Sequence, residues 1–280
     1  MAGSRLGSKL RAVFRLGLYL PWTVALMPVQ ALAVRFGWRL QTSLPAFYHR
    51  ICCRILGLGV EIRGTPSAAA PTLFVSNHLS YLDIEVLGSV IAGSFVAKTE
   101  VNTWPFFGAL ARLQRTVFVD RSKRGTADAQ RDSLQSRLEA GDNLVLFPEG
   151  TSSDGNRTLP FKSALFAAAG MRIDDRPLTV QPVSIACTAL DGIPLGRRLR
   201  PIYAWYGDMD LVPHLWNVVK QGHLTITVIF HPPVTLEDFR SRKSLADHCW
   251  RTIAVGVSAA NAGRLPEPAP ANLPDQRHAA

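Results

Sequence analysis

Cysteine is scarce in this sequence. The 280 residues include four cysteines, and none of them shows the C-x-x-C spacing of zinc sites and redox motifs. Two of the four, Cys52 and Cys53, are adjacent and would point to different sides of a helix. We therefore expect neither a disulfide framework nor a metal site. The pattern fits a reducing compartment that faces the cytosol.

Acidic residues are almost missing from the N-terminal part of the chain. Residues 1–63 contain nine lysines and arginines but only one acid, Glu61, so they carry +8 of the net charge of +10. These basic residues bracket apolar sequence, which favours an anionic membrane surface over a nucleic-acid groove as the partner. No nucleic-acid recognition motif occurs, so we expect no nucleic-acid partner.

A long apolar stretch lies inside this basic segment. Residues 16–34, LGLYLPWTVALMPVQALAV, are uncharged, and as a straight helix they would span about 28 Å, close to the hydrocarbon thickness of a bilayer. Pro21 and Pro28 favour a kinked or re-entrant helix. The alternative is a cleavable signal peptide with a cleavage site at 31–33. The two prolines and the cysteine pattern argue against that alternative.

A second helix is predicted over residues 44–56, because its apolar residues fall on one face at helical spacing. We expect this amphipathic helix to lie at the membrane interface, with a surface helix packed on the protein core as the alternative. The C-terminal 22 residues, 259–280, are rich in alanine and proline without periodicity, and they are predicted to be a disordered tail.

Strand patterns alternate with helical patterns in the rest of the chain, which predicts an α/β fold: a mixed sheet flanked by helices, preceded by an N-terminal membrane-associating helical segment. The chain divides into that helical segment (1–63), an α/β domain (64–258) and the tail. The predicted strands cover 59–64, 72–77, 93–98, 115–120, 143–147, 178–185 and 223–230. The predicted helices begin near Ser80 and cover 126–139 and 161–170.

Three predicted strands end in polar clusters. His78 and Asp83 follow the strand TLFVSN, Asp120 and Arg121 follow TVFV, and the run Glu149-Gly150-Thr151 follows NLVLFP. In open α/β sheets the reactive groups gather beyond the carboxyl ends of the strands. We therefore expect these three clusters to meet at one edge of the sheet.

His78 and Asp83 have a spacing that suits general base catalysis. Five residues along a straight helix turn by about 500°, so the two side chains would not share a helix face. The pair can meet if His78 stays in the loop and Asp83 lies in the first helical turn. The carboxylate then fixes the imidazole tautomer, and the other ring nitrogen is free to accept a proton. Since no G-x-S-x-G nucleophile motif is present, base catalysis of attack by a substrate hydroxyl is favoured over an acyl-enzyme.

Four motifs in order make the chain resemble the glycerolipid acyltransferase family. NHLSYLD (77–83) is similar to the family's N-H-x-S-x-x-D block, VFVDR (117–121) to its second block, FPEGTSS (147–153) to its third and VQPVSI (180–185) to its fourth. The resemblance implies that 64–258 is the acyltransferase domain. It also implies that His78 is the base and Asp83 its partner, and that Arg121 and the Glu149-Gly150-Thr151 run contribute to the acceptor site.

The resemblance implies transfer of an acyl chain from a thioester, on acyl carrier protein or coenzyme A, to a lysolipid hydroxyl. No metal or bound cofactor is implied. The implied partners are a membrane lipid acceptor and acyl carrier protein. The implied location is the cytoplasmic face of a bacterial inner membrane, with a single-pass or monotopic attachment. A membrane lipid-binding protein that keeps the fold without activity is a further alternative.

One departure from the family pattern bears on the acceptor. Relatives that use a phosphate-bearing acceptor have an arginine after E-G-T, where a guanidinium can hold the phosphate, but this chain has Ser152 there. Arg157 and Lys162 remain as nearby cations for substrate binding. The run E-G-T-S-S-D-G-N-R resembles the branch that acylates lyso-ornithine lipid, whose head group is a zwitterionic amino acid. We expect that acceptor, with 1-acylglycerol-3-phosphate or dual use as the alternative.

Overall fold

Strands and helices alternate along the computed structural model, which describes residues 7–119 and 127–265. The helices in those ranges are α1 (Lys9–Arg35), α2 (Leu40–Leu56), α3 (Asp83–Val90), α4 (Phe107–Leu113), α5 (Ala127–Glu139), α6 (Leu211–Lys220) and α7 (Arg242–Asn261). The strands are β1 (Leu58–Arg63), β2 (Thr72–Ser76), β3 (Gly93–Lys98), β4 (Val117–Val119), β5 (Asn143–Leu146), β6 (Arg172–Ile173), β7 (Arg176–Pro177), β8 (Thr179–Leu190), β9 (Ile193–Pro194) and β10 (Leu224–Phe230).

The strands form a mixed sheet in the order β1-β10-β8-β2-β5-β3-β4, with β9 paired to β8. The five neighbours from β8 to β4 run parallel to one another. The strand β10 is antiparallel to β8, and β1 is parallel to β10. Because β2 and β5 are parallel neighbours, the segments that follow them leave the sheet at the same edge. The predicted fold class, a mixed sheet flanked by helices, is confirmed.

Both faces of the sheet are covered, which explains why its central strands are continuous apolar runs. All five residues of β2 are buried. Phe74 points to one face and packs with apolar residues of α1, α2, α3 and α6. Leu73 and Val75 point to the other face and pack with α5 and α7. The alternation follows from the two-residue period of a strand.

Some predicted boundaries are corrected by the structure. A division at residue 63 would cut β1 away from β10, with which it pairs, so the helical part ends instead at Gly57. Gly57 has φ of 77°, a left-handed conformation that favours glycine and ends α2. The segment Ser163–Gly170 is a 3₁₀ helix interrupted at Phe166 rather than an α-helix. Helix α7 extends to Asn261, and residues 266–280 of the predicted tail lie outside the described residues.

Helix α1 buries polar side chains and exposes apolar ones, the reverse of a helix that packs on a protein core in water. It is one continuous helix through Pro21 and Pro28, without the break that a helical hairpin would need. Three polar residues, Tyr19, Thr23 and Gln30, are buried against the protein, whereas large apolar side chains are exposed. Among the described helices α1 alone is long and apolar enough to cross a membrane. The exposed apolar side chains are Leu10, Val13, Phe14, Leu18, Leu20, Val24, Val29 and Leu32.

Asn77 ends β2 in a way that frees the following residue from the sheet. Its carboxamide Nδ2 donates to the carbonyl of Ile185, and its Oδ1 accepts from the Ile185 N–H, both at 2.9 Å. The side chain thus bonds the peptide groups of β8 that a longer β2 would have bonded. The main chain is therefore able to turn away at His78 without leaving buried peptide groups unpaired.

We expect Asn77→Ala to lower the free energy of unfolding by about 2–4 kcal/mol, because it leaves a buried N–H and a buried carbonyl without partners. Denaturant unfolding of the purified protein in detergent measures the change. The control is Asn217→Ala, at an exposed position of α6, which should change the free energy by about 0.5 kcal/mol or less. Equal effects of the two substitutions would contradict the bridging role of Asn77.

Candidate active site

The loop between β2 and α3 brings His78 and Asp83 together. The Nδ1 atom of His78 lies 2.8 Å from Oδ2 of Asp83. Helix α3 begins at Asp83 rather than near Ser80, so the aspartate lies in the first turn and the histidine in the loop. This is the arrangement that the five-residue spacing requires. The sequence prediction that the two side chains meet is confirmed.

The carboxylate of Asp83 is fully buried and has several donors. Its Oδ2 accepts from His78 and from the backbone N–H groups of Leu79 and Ser80, at 2.6 and 3.0 Å. Its Oδ1 accepts from the hydroxyl of Tyr203 at 2.9 Å. A buried carboxylate is tolerated when its lone pairs are used in this way. Burial and the neighbouring Asp83 together raise the pKa of Tyr203 well above its ordinary value, so the phenol stays a donor.

The imidazole of His78 is oriented by two contacts. Its Nδ1 bonds Asp83, and its ring stacks on that of Phe147 with centroids 4.2 Å apart and an interplanar angle of 21°. About 23% of the His78 side chain is exposed, whereas the Asp83 side chain is not exposed at all. Because Asp83 accepts from Nδ1, Nδ1 carries the hydrogen and the lone pair is on Nε2. The ring is therefore arranged to accept a proton at Nε2.

Glu149 ties the E-G-T-S-S loop to the histidine. Its Oε1 accepts from the backbone N–H of His78 at 3.0 Å, and its Oε2 accepts from the N–H of Leu159 at 3.1 Å. The carbonyl of His78 in turn accepts from the N–H of Ser153 at 2.9 Å. Both backbone groups of His78 are therefore held by this loop. The sequence prediction that the first and third clusters meet is confirmed, while a contact of Glu149 with the acceptor stays a prediction.

The next residues of the loop turn sharply and reach a second segment. Gly150 has φ of 74°, where glycine is favoured, and its N–H bonds the carbonyl of Phe147 at 3.2 Å. Thr151 is exposed. The hydroxyl of Ser152 donates to the carbonyl of Trp205, whose own N–H bonds the carbonyl of Leu79 at 2.9 Å. Ser152 thus connects the loop to the segment around residue 205.

Of the three predicted cationic residues, two are described by the structure, and both are exposed. Arg121 lies outside the described residues, as does Asp120. Lys162 is exposed, and its backbone N–H bonds the carbonyl of Pro148 at 2.9 Å. Arg157 is exposed and lines a polar pocket together with Asp154, Asn156, Arg197 and Arg200.

Several residues of the site were not predicted from the sequence. Tyr203 lies 120 positions after Asp83, and no local pattern connects them. Arg197 and Arg200 lie in a segment without regular periodicity. Phe147 was visible as the last apolar residue of a strand, but its stacking on the imidazole could not be read from that pattern. Long-range contacts of this kind require the folded chain.

An apolar cavity of about 170 Å³ lies beside the loop between β2 and α3. Helices α1, α2, α3 and α4 form its walls, and Tyr81 and Leu82 of that loop also line it. One polar pair, His49 and Glu85, is part of the wall, with Nδ1 and Oε2 2.6 Å apart. Apart from such groups the lining is apolar, which suits a hydrocarbon chain.

Comparisons with known proteins find relatives that cover most of the chain. The family model described as Acyltransferase matches residues 59–186. The chain is 43% identical over 251 residues to a lyso-ornithine lipid O-acyltransferase of Brucella abortus, covering 88% of this chain and 93% of that protein. It is 42% identical over 257 residues to a protein of the same name from Rhizobium meliloti, covering 89% and 88% of the two chains.

Another relative carries a different name. The chain is 33% identical over 206 residues to a 1-acyl-sn-glycerol-3-phosphate acyltransferase of Neisseria gonorrhoeae, covering 72% and 76% of the two chains. Among solved structures, the 1-acyl-sn-glycerophosphate acyltransferase PlsC of Thermotoga maritima matches with a TM-score of 0.61. It has 22% identity and covers 91% of this chain and 95% of that chain. That match bears on the fold alone.

We expect the stability of the protein to fall as the pH rises from about 4.5 to about 8. Burial raises the pKa of Glu149 to about 8 from an ordinary 4.5, against the opposing hydrogen bonds from the N–H groups of His78 and Leu159. Between these values the folded protein holds a proton that the unfolded chain has released. The free energy of unfolding therefore decreases with pH in this window and levels off above it.

Urea unfolding at pH 5 and pH 8 measures this dependence in the wild type and in Glu149→Gln. The variant keeps a neutral side chain at both pH values and should show a smaller fall, while Glu100→Gln, at an exposed position, should behave like the wild type. A fall of equal size in all three proteins would show that another group is responsible.

Proposed function

The chain belongs to the acyltransferase family, and on that premise we propose that it is a lysolipid O-acyltransferase that converts lyso-ornithine lipid to ornithine lipid. The observation that carries the proposal is the identity of 42–43%, over nearly the whole chain, to two proteins named lyso-ornithine lipid O-acyltransferase. The buried pairing of His78 with Asp83 supports it, because an inactive relative would have no need of that geometry.

His78 is proposed to be the general base. Its Nε2 removes the proton of the acceptor hydroxyl as the hydroxyl oxygen attacks the thioester carbonyl carbon. Asp83 holds Nδ1 and stabilises the imidazolium that forms. The tetrahedral intermediate collapses with cleavage of the C–S bond, and the imidazolium returns its proton to the departing thiolate. General base catalysis of this type is worth about a hundred- to ten-thousand-fold in rate.

The proposed acyl donor is a thioester on acyl carrier protein or coenzyme A, which serves as co-substrate, and no resident cofactor takes part. Both carriers are anionic. Exposed arginines at the ends of α1 and α2, including Arg35, Arg39 and Arg54, offer a complementary charge. The apolar cavity beside Tyr81 and Leu82 is proposed to take the acyl chain, because it joins the catalytic loop and has an apolar lining.

A second acceptor, 1-acylglycerol-3-phosphate, is favoured by the 33% identity to the Neisseria gonorrhoeae enzyme of that name. Ser152 argues against it as the main acceptor. The serine hydroxyl is used in a bond to the carbonyl of Trp205 and brings no positive charge to the position after E-G-T. Lyso-ornithine lipid is therefore proposed as the main acceptor.

The protein is proposed to lie at the cytoplasmic face of a bacterial inner membrane, attached by α1 as a single-pass or monotopic protein. The support is the inverted polarity of α1, whose polar residues are buried against the protein while its apolar residues are exposed. In water such a surface would be costly, but next to hydrocarbon it is the stable arrangement. A lipid acceptor is reached most directly from that position.

We expect His78→Ala to reduce acyl transfer at least about a hundredfold, because no base then removes the hydroxyl proton. The assay measures labelled acyl groups transferred to lyso-ornithine lipid by membranes containing equal amounts of protein. His223→Ala, at an exposed position, is the control and should keep its activity. Undiminished transfer by His78→Ala would end the general-base proposal, and an inactive wild type would favour a lipid-binding protein.

We expect Ser152→Arg to shift acceptor preference towards 1-acylglycerol-3-phosphate by about tenfold, since a guanidinium adds a charge-assisted hydrogen bond to phosphate. The ratio of kcat/KM for the two acceptors is measured side by side. Ser152→Ala is the control, because it also loses the bond to Trp205 but gains no charge. A wild type that prefers the phosphate lipid, or an unchanged ratio in Ser152→Arg, would refute this explanation of acceptor choice.

We expect Val24→Glu to increase the fraction of protein that alkaline carbonate releases from membranes, because it places a carboxylate on the exposed apolar face of α1. Val255→Glu makes the same change at an exposed position of α7 and should leave extraction unaltered. Complete release of the wild-type protein by carbonate would refute attachment through α1.

A further inference from the structure

A second pocket, with charges of both signs, lies next to the E-G-T-S-S loop. It has a volume of about 500 Å³ and is open to solvent. Unlike the cavity beside Tyr81, its lining is polar. The lining residues are Asp154, Asn156, Arg157, Arg197 and Arg200.

Asn156 and Arg200 hold the polar groups of this pocket in place. The carboxylate of Asp154 accepts from the backbone N–H and from Nδ2 of Asn156, at 3.0 and 3.1 Å. The Oδ1 of Asn156 accepts from Nη1 of Arg200 at 3.1 Å, and Nη2 of Arg200 donates to the carbonyl of Asn261 at 2.7 Å. Asp154, Asn156 and Arg200 are therefore held in place before a ligand arrives, which lowers the entropy cost of binding at these groups.

The charged side chains of the pocket form no close ion pairs within the part of the chain that the structure describes. Within the described ranges, none of Arg157, Arg197 and Arg200 lies within ion-pair distance of a carboxylate. In the same ranges the buried Nε of Arg200 has no hydrogen-bond partner.

Asp154 keeps its negative charge despite partial burial. Burial acts to raise its pKa, but hydrogen bonds from Asn156 and the charges of Arg157 and Arg197 outweigh it, so the pKa lies below the ordinary value. The pocket therefore offers cations and an anion to a ligand at neutral pH.

The pocket is connected to the catalytic histidine through a short stretch of backbone. Ser153, whose N–H bonds the carbonyl of His78, immediately precedes Asp154. Gly155 lies between Leu79 and Arg200: a Cβ built on it would lie 3.9 Å from Cδ2 of Leu79 and 3.8 Å from Cβ of Arg200. A head group in this pocket would thus lie beside the loop that carries the base.

We propose that this pocket binds the zwitterionic head group of the acceptor, with the carboxylate at Arg157 and Arg197 and the ammonium at Asp154. The inference rests on the proposed function. An ornithine that carries its acyl chain on one amine retains one carboxylate and one ammonium, which match the two signs of the lining. A phosphate would gain from the arginines but would face the carboxylate of Asp154.

Paired substitutions in protein and substrate test this assignment. The substrates are lyso-ornithine lipid, its carboxyl methyl ester and its N-acetyl derivative, the last two each lacking one charge. We expect Asp154→Asn to lower kcat/KM for lyso-ornithine lipid about tenfold, mainly through KM, and to leave kcat/KM for the N-acetyl derivative almost unchanged. We expect Arg197→Gln to lower kcat/KM for lyso-ornithine lipid by a similar factor. For the carboxyl methyl ester, kcat/KM should be almost unchanged.

The controls are neighbouring or equivalent residues outside the pocket. Arg198→Gln lies next to Arg197 and Asp247→Asn lies on an exposed face of α7, and both should leave kcat/KM unchanged for all three lipids. A variant that is merely misfolded would lose activity equally towards the charged and the neutralised substrate. Comparing the charged and the neutralised substrate therefore distinguishes a variant that has lost head-group binding from one that is misfolded.

Two kinds of failure can be told apart. If wild-type protein acylates lyso-ornithine lipid but Asp154→Asn and Arg197→Gln affect all three lipids equally, the pocket assignment is overturned and the proposed function is kept. If wild-type protein acylates only 1-acylglycerol-3-phosphate, both are overturned. In that case a loss with Arg197→Gln and a gain with Asp154→Asn would identify a phosphate pocket.

Discussion

The buried carboxylate of Asp83 is the interaction on which the site depends. Removing a carboxylate from water costs several kcal/mol unless donors replace the lost hydration. Here the donors come from the imidazole of His78, from two peptide groups of the same loop and from the hydroxyl of Tyr203. The need to satisfy this one group fixes the loop conformation, the orientation of the ring and the position of the segment around residue 203. The position and orientation of the His78 imidazole follow from it.

The sequence could predict those parts of the molecule that depend on local patterns. Apolar runs located the strands, and the spacing of His78 and Asp83 required a loop residue and a first-turn residue, as is found. Contacts between distant segments could not be predicted in this way. Nothing near Tyr203 indicates a bond to Asp83, and nothing in E-G-T indicates that the Glu149 carboxylate would bond the backbone of His78. Helix α7 was missed although Leu245, Cys249 and Ile253 have helical spacing.

Apolar side chains are placed differently on the sheet and on helix α1. On the sheet, apolar residues face inwards and both faces are covered by helices. On α1 the order is reversed, since Thr23 and Gln30 are buried while Val24 and Leu32 are exposed. The same rule, that apolar surface avoids water, accounts for both if the outer side of α1 faces hydrocarbon. The apolar cavity is lined both by α1 and by residues of the loop between β2 and α3, and so it lies next to the exposed apolar helix and to the loop that carries His78.

The two halves of the loop from Glu149 to Arg157 make different contacts. Its first residues clamp both backbone groups of His78, whereas its later residues line the charged pocket. Substitutions in the later half can therefore alter the lining of the pocket without disturbing the backbone bonds of His78. On the roles proposed for the pocket and for His78, a few exposed side chains would determine which lipid is accepted, while the hydrogen bonds around the histidine stay the same. Acceptor choice and catalysis would then depend on different parts of one loop.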